Sequence, residues 1–496
     1  MTARAQRLHP LTFVVGATKE LIALLAAGVT GLVVGGLSTA FYFTLIGLAF
    51  GLVFHIATWV TFTYTVYDDR IELRRSLIGR SVKTIPRERI RGVDISVTLP
   101  HRALGLAILH VDAGADGGEG ELNAVSRQEA DRLRGVLLSR VTTLDKDEKP
   151  PPREVLARMV PRWYVYAPLS GAYLLTPFAL AGSLLGTLYN LGDDLGLITH
   201  KRMERLGHEA VGLPTAVVIA LAITFLVAMP VMSVIVFTLF NWNFTVYERD
   251  GSVVAERGLV TRRSVSLERR RVRGVELADN PFERMAGVIR LGALVTGLSD
   301  AAHRGRLLPA APLAVAAELG GRVLGPADLR APGVPGPLRP HPPAARKRRV
   351  ARAIAPPLGV AAIALAARQP WVASVCVVVA VLAIPLGLDR YRQLGHASDG
   401  RRLTVRSGSL RRRQAVIEHD AVVAWRIRRT LFQRRLGLAT LFAAVGAGEG
   451  GYPAVDMAED EAIAFAARIT PLWVTPFLER PPPPETEVIP GGERRT

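Results

Sequence analysis

The feature that most constrains this chain is a stretch without any charged side chain, which runs from Leu21 to Thr63. A helix needs roughly 20 apolar residues to cross the hydrocarbon core of a bilayer, and this stretch is about twice that length. A cluster of mostly small residues, Gly35 to Thr39, lies near its middle. The stretch therefore predicts two transmembrane helices joined by a tight turn, and it makes the chain an integral membrane protein.

Two further apolar segments predict two more hairpins. The first joins Trp163–Leu191 to a span that runs from Leu213 to Asn241, across a polar loop. The second joins Leu358–Ala367 to Trp371–Leu388. We therefore predict about six transmembrane helices in three hairpins, at residues 21–63, 163–243 and 353–388.

Lysine and arginine near the helix ends predict the orientation, because cytoplasmic segments carry an excess of both. They concentrate where the hairpins join the larger polar segments: Arg4, Arg7, Lys19, Arg70, Arg74, Arg75, Arg346, Lys347, Arg348, Arg349, Arg352, Arg390 and Arg392. Lys201, Arg202 and Arg205 in one hairpin tip reduce the contrast. With an even number of spans, we expect both termini and all large polar segments in the cytoplasm. The abundance of Ala, Gly and Arg is typical of a bacterial protein, so we expect a bacterial cell membrane.

The polar segments contain an internal repeat. Ile85–Val93 resembles Leu267–Val275, and a third copy begins at Ile417. A glycine follows the start of each copy at one constant distance, at Gly105, Gly287 and Gly437. Such gapless agreement predicts one unit, a hairpin followed by a small domain, that occurs three times.

A Phe-x-Arg motif belongs to the same repeat. Phe282 with Arg284 recurs as Phe432 with Arg434, whereas the first copy has Pro100-His101-Arg102 at this place. The turn chemistry of the first copy therefore differs from that of the other two.

Each copy combines short alternating apolar runs with a final amphipathic helix, whose start is marked in two copies by the capping boxes Ser126–Glu129 and Asp456–Glu459. Such a pattern predicts an α+β protein with three small domains, each a β-sandwich or half-barrel closed by a C-terminal helix. We place the domains at 64–145, 244–325 and 389–478. The remaining segments are a cytoplasmic N-terminal segment at 1–20, linkers at 146–162 and 326–352, and a disordered tail at 479–496.

The run Leu431–Leu441, with its Phe-x-Arg and glycine, resembles the bacterial pleckstrin-homology-like (PH-like) domain of membrane proteins, a family once labelled as a domain of unknown function. Three such domains with paired membrane helices are similar to the three-domain members of that family. The resemblance implies a PH-like fold in each copy, and it implies no settled biochemical activity.

The charge and the scattered reactive residues limit the function. The chain has a formal net charge of +19, and basic segments bind phosphate in nucleic acid or in lipid headgroups. Because the apolar segments require a membrane, we expect the partner to be the lipid bilayer and its anionic headgroups, and we expect no nucleic acid. The histidines lack metal-ligand spacing, Cys376 is the single cysteine, and no phosphate-binding loop or nucleophile motif occurs. We therefore expect no enzyme, no cofactor and no metal site.

Clustered arginines are the candidate contact residues. The sets that recur in the first two copies are read as alternate positions on one strand, which would place each set on one face; the third copy has a shifted cluster. The residues are Arg87, Arg89, Arg91, Arg269, Arg271, Arg273, Arg411, Arg412 and Arg413. They predict either contact with anionic lipid or a protein partner, or a solvated face that merely follows the positive charge of cytoplasmic segments.

Two functions remain open at this point. One is a non-catalytic membrane scaffold whose domains bind protein partners, each other or lipid. The other is a transporter or lipid-handling protein whose domains gate a path through the helices. A polar path through the helices would favour the second, and a dry, tightly packed helix bundle would favour the first.

Overall fold

The structure is a computed structural model, and it describes residues 5–12, 15, 39–76, 80–90, 92–113, 119–138, 154–194, 214–249, 251–296, 305–324 and 338–478. The predicted first helix of the first hairpin, Arg91, most of the glycine-rich loop that follows Ala113, and the tail at 479–496 lie outside these residues. The count of six spans therefore stays a prediction.

The described helices alternate between long apolar ones and short ones that belong to the domains. In chain order they are α1 Thr39–Thr61, α2 Leu99–Ala103, α3 Arg127–Leu138, α4 Gly171–Asp194, α5 Thr215–Asn241, α6 Pro281–Met285, α7 Leu313–Val323, α8 Pro343–Ala366, α9 Pro370–Arg392, α10 Leu431–Arg434, α11 Glu459–Ile469 and α12 Pro471–Val474.

Twenty strands form four antiparallel sheets among the described residues. They are β1 Gln6–Arg7, β2 Phe62–Val66, β3 Arg70–Arg75, β4 Ser81–Pro86, β5 Gly92–Val97, β6 Leu106–Asp112, β7 Glu119–Ser126, β8 Glu154–Arg158, β9 Thr245–Arg249, β10 Ser252–Arg257, β11 Arg262–Glu268, β12 Val272–Asp279, β13 Val288–Val295, β14 Arg306–Pro312, β15 Gly395–Ser398, β16 Arg402–Ser407, β17 Arg412–Glu418, β18 Val422–Arg428, β19 Leu438–Val445 and β20 Gly451–Ala458.

Four described helices are long and apolar enough to cross a membrane: α1, α5, α8 and α9. A fifth crossing is present if α4 and the 3-10 segment Pro161–Leu169 before it are counted as one bent span. Most side chains of these helices point away from the rest of the protein, which is what lipid-facing helices require. The membrane location is thus supported by the structure as well as by the sequence.

One predicted hairpin boundary was wrong. Residues 163–169 were assigned to the membrane, but Trp163 and Ala167 are buried in the core of the second domain beside Phe244. The span therefore begins near Gly171. Helix α8 itself begins at Pro343, ten residues before the predicted hairpin at 353–388, and the arginines in its first turns bind partners in the third domain.

The segments outside the predicted domains also contribute to them. The predicted linker at 146–162 contains β8, which pairs with β9, and the N-terminal segment contains β1, which pairs with β2. Neither strand was predicted, because two to five residues are too few to show an alternating apolar pattern. Only the pairing with a neighbouring strand defines them.

Each domain has the same construction of two three-stranded units and a closing helix. Domain 1 contains β2–β7 and α3, domain 2 contains β9–β14 and α7, and domain 3 contains β15–β20 and α11. The closing helix buries one face on the sheets: Ala130 and Leu133 of α3 are fully buried in the core of domain 1. The glycines of the repeat, Gly105, Gly287 and Gly437, have φ of +69°, +67° and +61°, the left-handed region in which glycine has no steric penalty.

The three domains are joined by shared sheets. Strand β5 of domain 1 pairs with β11 of domain 2, and β12 of domain 2 pairs with β17 of domain 3. The cores interpenetrate as well: Val416 of domain 3 belongs to the core of domain 2, and Leu294 of domain 2 belongs to the core of domain 3. The repeat therefore forms one continuous array.

A glycine allows the closest approach at the second of these junctions. A Cβ atom added to Gly274 of β12 would lie 2.4 Å from the carbonyl oxygen of Val416 on β17. Such a contact is too short for any side chain, so the residue at this position must be glycine if the two domains are to share a sheet.

Candidate functional site

The candidate site is the base of domains 2 and 3, meaning the end of these domains from which the membrane helices leave. The turn between β10 and β11 marks this end, because the Gly258 amide donates to the Trp242 carbonyl just after α5, at 3.0 Å. The short helices α6 and α10 lie at the same end. Asn280, which precedes α6, donates through its side-chain amide to the Leu169 carbonyl at 2.7 Å.

Capping boxes explain why the Phe-x-Arg motif forms short helices. The Asn280 side-chain oxygen accepts hydrogen bonds from the amides of Phe282 and Glu283, at 2.9 and 3.0 Å. In domain 3 the Thr430 hydroxyl accepts from the Gln433 amide at 3.3 Å. These caps satisfy amides that a helix of one turn leaves unpaired, and they fix the direction of the motif side chains.

Arg284 of the motif connects two domains and a membrane helix. Its guanidinium lies 3.3 Å from Asp389 at the end of α9 and 3.5 Å from the buried Asp279 of its own domain. It also donates to the Ser409 carbonyl of domain 3 at 2.7 Å. Arg412 of domain 3 binds Asp279 from the other side, with its Nε 3.0 Å from a carboxylate oxygen. We call these residues the Asp279 cluster.

A second buried carboxylate attaches α8 to domain 3. Asp456 is fully buried, and its two oxygens accept from Arg348 at 2.5 Å and from Arg349 at 2.7 Å. Gln433 of α10 donates to the same carboxylate at 2.8 Å. Asp456 was predicted to cap the closing helix, but α11 begins later, at Glu459, and its cap position is Ala458. The two arginines compete successfully for its carboxylate because they are charged donors.

Apolar side chains are exposed at the same base. Phe282 and Met285 of α6 are 66% and 87% exposed, and Leu431 and Phe432 of α10 are 75% and 72% exposed. These residues lie at the base, where the membrane helices leave the domains. An exposed apolar patch of this kind marks a surface that contacts a membrane or another protein.

An apolar groove of about 850 Å³ lies between α8 and α10. Leu431, Phe432 and Leu436 form one wall, and the basic side chains Arg352 and Arg435 lie at its edge. Apolar walls with basic side chains at the end of a membrane helix are features that could bind a molecule with an apolar chain and an anionic group.

The arginines of the first two copies lie elsewhere. Arg87 and Arg89, like Arg269 and Arg271, occupy 3-10 turns rather than alternate positions on one strand. The prediction that each arginine set lies on one face of a strand was therefore wrong. The chain turns between β4 and β5, and again between β11 and β12, where an extended strand was expected. These turns lie at the end of the domains opposite the base. Arg273 is on β12, and it lies 3.8 Å from Glu418 across the second junction.

Two of these arginines have a repeated structural role. Arg269 binds Glu248 at 2.8 Å and donates to the Arg322 carbonyl at the end of α7 at 2.7 Å. Arg87 donates to the Val136 carbonyl near the end of α3 in the same way. Both guanidinium groups therefore satisfy carbonyls that the closing helix leaves unpaired, where positive charge is also favourable.

The arginines of the third copy lie at the second junction. Arg412 belongs to the Asp279 cluster, and Arg413 lies 3.6 Å from Glu276 on β12 and 2.5 Å from Glu449. Arg411 ends the turn that precedes β17. The acidic partner of Arg412, Asp279, and the β12 partner of Arg413, Glu276, could not be identified from the sequence, because each is more than a hundred residues away and carries no local signal.

A buried pair of histidines lies in domain 3. The Nδ1 of His341 lies 2.9 Å from the Val455 carbonyl, which fixes the proton on that nitrogen. The Nε2 of His341 lies 3.2 Å from the Nδ1 of His396, and the other ring nitrogen of His396 lies 3.2 Å from Glu461. Burial, together with the neighbouring His396, lowers the pKa of His341 to about 4.

The fold and its helices define the class: an integral membrane protein with several PH-like domains in tandem. The sequence model of the bacterial PH domain family matches residues 12–141, 197–324 and 353–470, so the chain belongs to that family. The predicted membership is confirmed. The family is one of PH-like domains in membrane proteins and is not a known enzyme family.

The chain is similar to the UPF0699 transmembrane protein YdbT of Bacillus subtilis (strain 168). The two are 20% identical over 260 residues, which are 49% of this chain and 52% of the relative. The match thus spans about half the length of the curated relative. No solved structure gives a significant match.

The buried Asp456 generates a prediction about the attachment of α8. Replacing Asp456 with Asn keeps a residue that tolerates its φ of +62° and removes the charge together with one of the two acceptor oxygens. The buried Arg348 and the partly buried Arg349 then lose their counterion, and we expect a loss of about 3 kcal/mol in the free energy of unfolding. The measurement is denaturant unfolding of the purified chain in detergent. The control is Glu459→Gln, whose partner Arg429 is partly exposed, and an equal loss in the control would contradict the assignment.

The histidine pair generates a prediction about pH. An unfolded histidine titrates near 6.5, above the folded value of about 4 for His341. The unfolded state therefore binds a proton first as the pH falls, so this stabilising contribution is complete above about 6.5 and is lost progressively toward 4. The melting temperature should fall less between pH 7.5 and 5 in His341→Asn than in the wild type. The exposed His9→Asn serves as the control, and identical pH profiles for all three proteins would refute the role of His341.

Proposed function

We propose that the chain is a non-catalytic scaffold of the bacterial cell membrane, in which three PH-like domains form one rigid platform. The observation that carries this proposal is the pairing of strands between domains, at β5–β11 and β12–β17. Domains that act independently need only linkers, whereas shared sheets and shared cores hold all three surfaces in a fixed order.

The attachment to the helices supports the same function. The Asp279 cluster connects domain 2, domain 3 and α9, and Asp456 connects domain 3 with α8. Separating either pair would leave a buried carboxylate or arginine without its partner, which is costly in a low-dielectric environment. Such a base favours a fixed platform over a gate that must move.

We place the platform and both termini on the cytoplasmic side. Lys347 and the arginines at residues 346–352 lie in the first turns of α8, on the side of the domains, and Arg390 and Arg392 lie in the last turn of α9. The excess of basic residues at these helix ends supports this orientation.

The rigidity of the platform can be tested by a distance measurement in lipid nanodiscs. Spin labels at Gln128→Cys on α3 and Ala464→Cys on α11, in a Cys376→Ala background, should give one narrow distance distribution. Gly274→Ala should broaden it, because the new methyl group would collide with the Val416 carbonyl.

The matched control is Gly292→Ala on the neighbouring strand β13, where an added Cβ lies 3.6 Å from its nearest atom. This variant should leave the distribution narrow. A broad distribution in the wild type would show that the domains move independently and would end the platform proposal.

A second function, the binding of anionic lipid, is favoured by the groove between α8 and α10. Its walls are apolar, Arg352 and Arg435 lie at its edge, and Phe432 is exposed toward the bilayer surface. This location differs from the one expected at Arg269 and Arg271. These arginines are separated from the base by β11, and a strand of seven residues spans roughly 20 Å. They therefore lie well beyond the Debye length of about 8 Å from the ends of the membrane helices.

Lipid binding can be tested by native mass spectrometry of the full chain with added phosphatidylglycerol or phosphatidylcholine. We expect retention of phosphatidylglycerol, and a several-fold reduction in the double variant Arg352→Gln/Arg435→Gln. The control is Arg89→Gln/Arg273→Gln at the opposite end and at the junction. If the control lowers retention as much as the groove variant, the groove is not the lipid site.

A further inference from the structure

The array ends in a strand edge at domain 3. Strands β5 and β12 occupy equivalent positions in domains 1 and 2, and each pairs with the next domain along the chain. Strand β18 occupies that position in domain 3, and it is the outer strand of its sheet among the described residues. An edge of this kind is a template for another strand.

The exposure of β18 shows what the junctions normally cover. Leu277 of β12 is buried, whereas the equivalent Ile427 of β18 is 43% exposed and Val423 is 61% exposed. Trp425 donates through its indole N–H to Thr470 at 2.8 Å, which brings the exposed Leu472 of α12 to the same end of the domain. The edge therefore combines unpaired backbone groups with apolar side chains.

The charge of the edge is opposite to that of the junctions. At the second junction the carboxylate of Glu276 on β12 lies 3.6 Å from the guanidinium of Arg413 in domain 3. The repeat places Arg426 where Glu276 stands and Arg428 two residues further on the same face. In the register of the second junction, Arg426 and Arg428 would lie opposite the positions that Ala415 and Arg413 occupy on β17. A strand that pairs with β18 must therefore carry acidic side chains at these two positions.

A second copy of this chain does not meet that requirement. Head-to-tail association would bring β4 of one copy to β18 of the next, with Lys83 opposite Arg426 in the register of the junctions. Like charges directly opposite each other destabilise a strand pair. Ala424 stands where β12 has Gly274, so its Cβ would collide with any strand that approached as closely as β17 approaches β12, which leaves Trp425–Arg428 as the stretch open to pairing.

We propose that β18 is the docking edge for an antiparallel strand of another protein that has acidic side chains at alternate positions, facing Arg426 and Arg428. This inference rests on the proposed scaffold function and names the class of partner that the platform accepts. Backbone hydrogen bonds supply the affinity of such a strand, and the two acids supply its specificity.

The test uses a peptide with this pattern. The model strand VTVEVEVT carries two Glu at alternate positions, which lie on one face of an extended strand. A fluorescent peptide of that sequence is compared with a matched peptide in which both Glu are Gln, by anisotropy with the full chain and with a chain ending at Leu478, in detergent. We expect at least tenfold tighter binding of the Glu peptide, decreasing as salt is added.

Charge reversal locates the site. Arg426→Glu/Arg428→Glu should abolish the preference for the Glu peptide and create a preference for a peptide with Arg at both positions. This swap needs the variant to stay folded, which is shown by its melting temperature. Arg401→Glu/Arg411→Glu, two exposed arginines outside the edge, is the matched control and should bind like the wild type.

The other outcomes overturn the proposal. Equal binding of the Glu and Gln peptides, or no binding of either, excludes an acidic strand. Binding only after residues 479–496 are removed identifies that segment as the occupant in place of another protein. Concentration-dependent oligomers that Arg426→Glu changes would identify a second copy. A narrow spin-label distance together with any of these results leaves the platform intact, so the two proposals fail separately.

Discussion

The structure depends on antiparallel pairing between strands of successive domains. Backbone N–H and C=O groups require partners when they are buried. Where two domains meet, a strand of each presents a row of these groups to the other. At β5–β11 and β12–β17 these rows satisfy each other. The order of the domains in space, the interpenetrating cores and the position of the last edge all follow from that pairing.

The membrane helices are held by charge rather than by apolar packing alone. Buried carboxylates at Asp279 and Asp456 each bind two or more guanidinium groups that come from different elements or successive positions of one helix. A buried ion pair of this kind contributes little net stability compared with apolar side chains, but removing one member leaves a charge uncompensated. Its physical effect is specificity: only one arrangement of helices and domains satisfies every charge.

The comparison of Arg269 with Arg284 shows where reasoning from the sequence succeeded and where it failed. The repeat identified both as recurring positions, and both are structurally important. Their roles were not predictable, because a guanidinium that caps a helix end and one that could face lipid have the same local sequence. The acids that decide between these roles, Glu248 and Asp389, lie 21 and 105 residues away. The apolar segment at Trp163 failed for a related reason, since an apolar run is compatible with lipid or with a protein core.

The sequence by itself determined the membrane location, the three copies of the small domain and the glycine turns at Gly105, Gly287 and Gly437, because hydropathy, periodicity and left-handed turns are local properties. Only the tertiary structure showed that the domains share sheets, that Gly274 packs against the Val416 carbonyl, and that Asp456 binds the arginines of α8. These features arise from contacts between residues that are distant along the chain. Backbone pairing between edges leaves little side-chain pattern, so the junction strand β12 and the edge strand β18 differ in sequence by a few charges, the replacement of Gly274 by Ala424 and that of Val275 by Trp425.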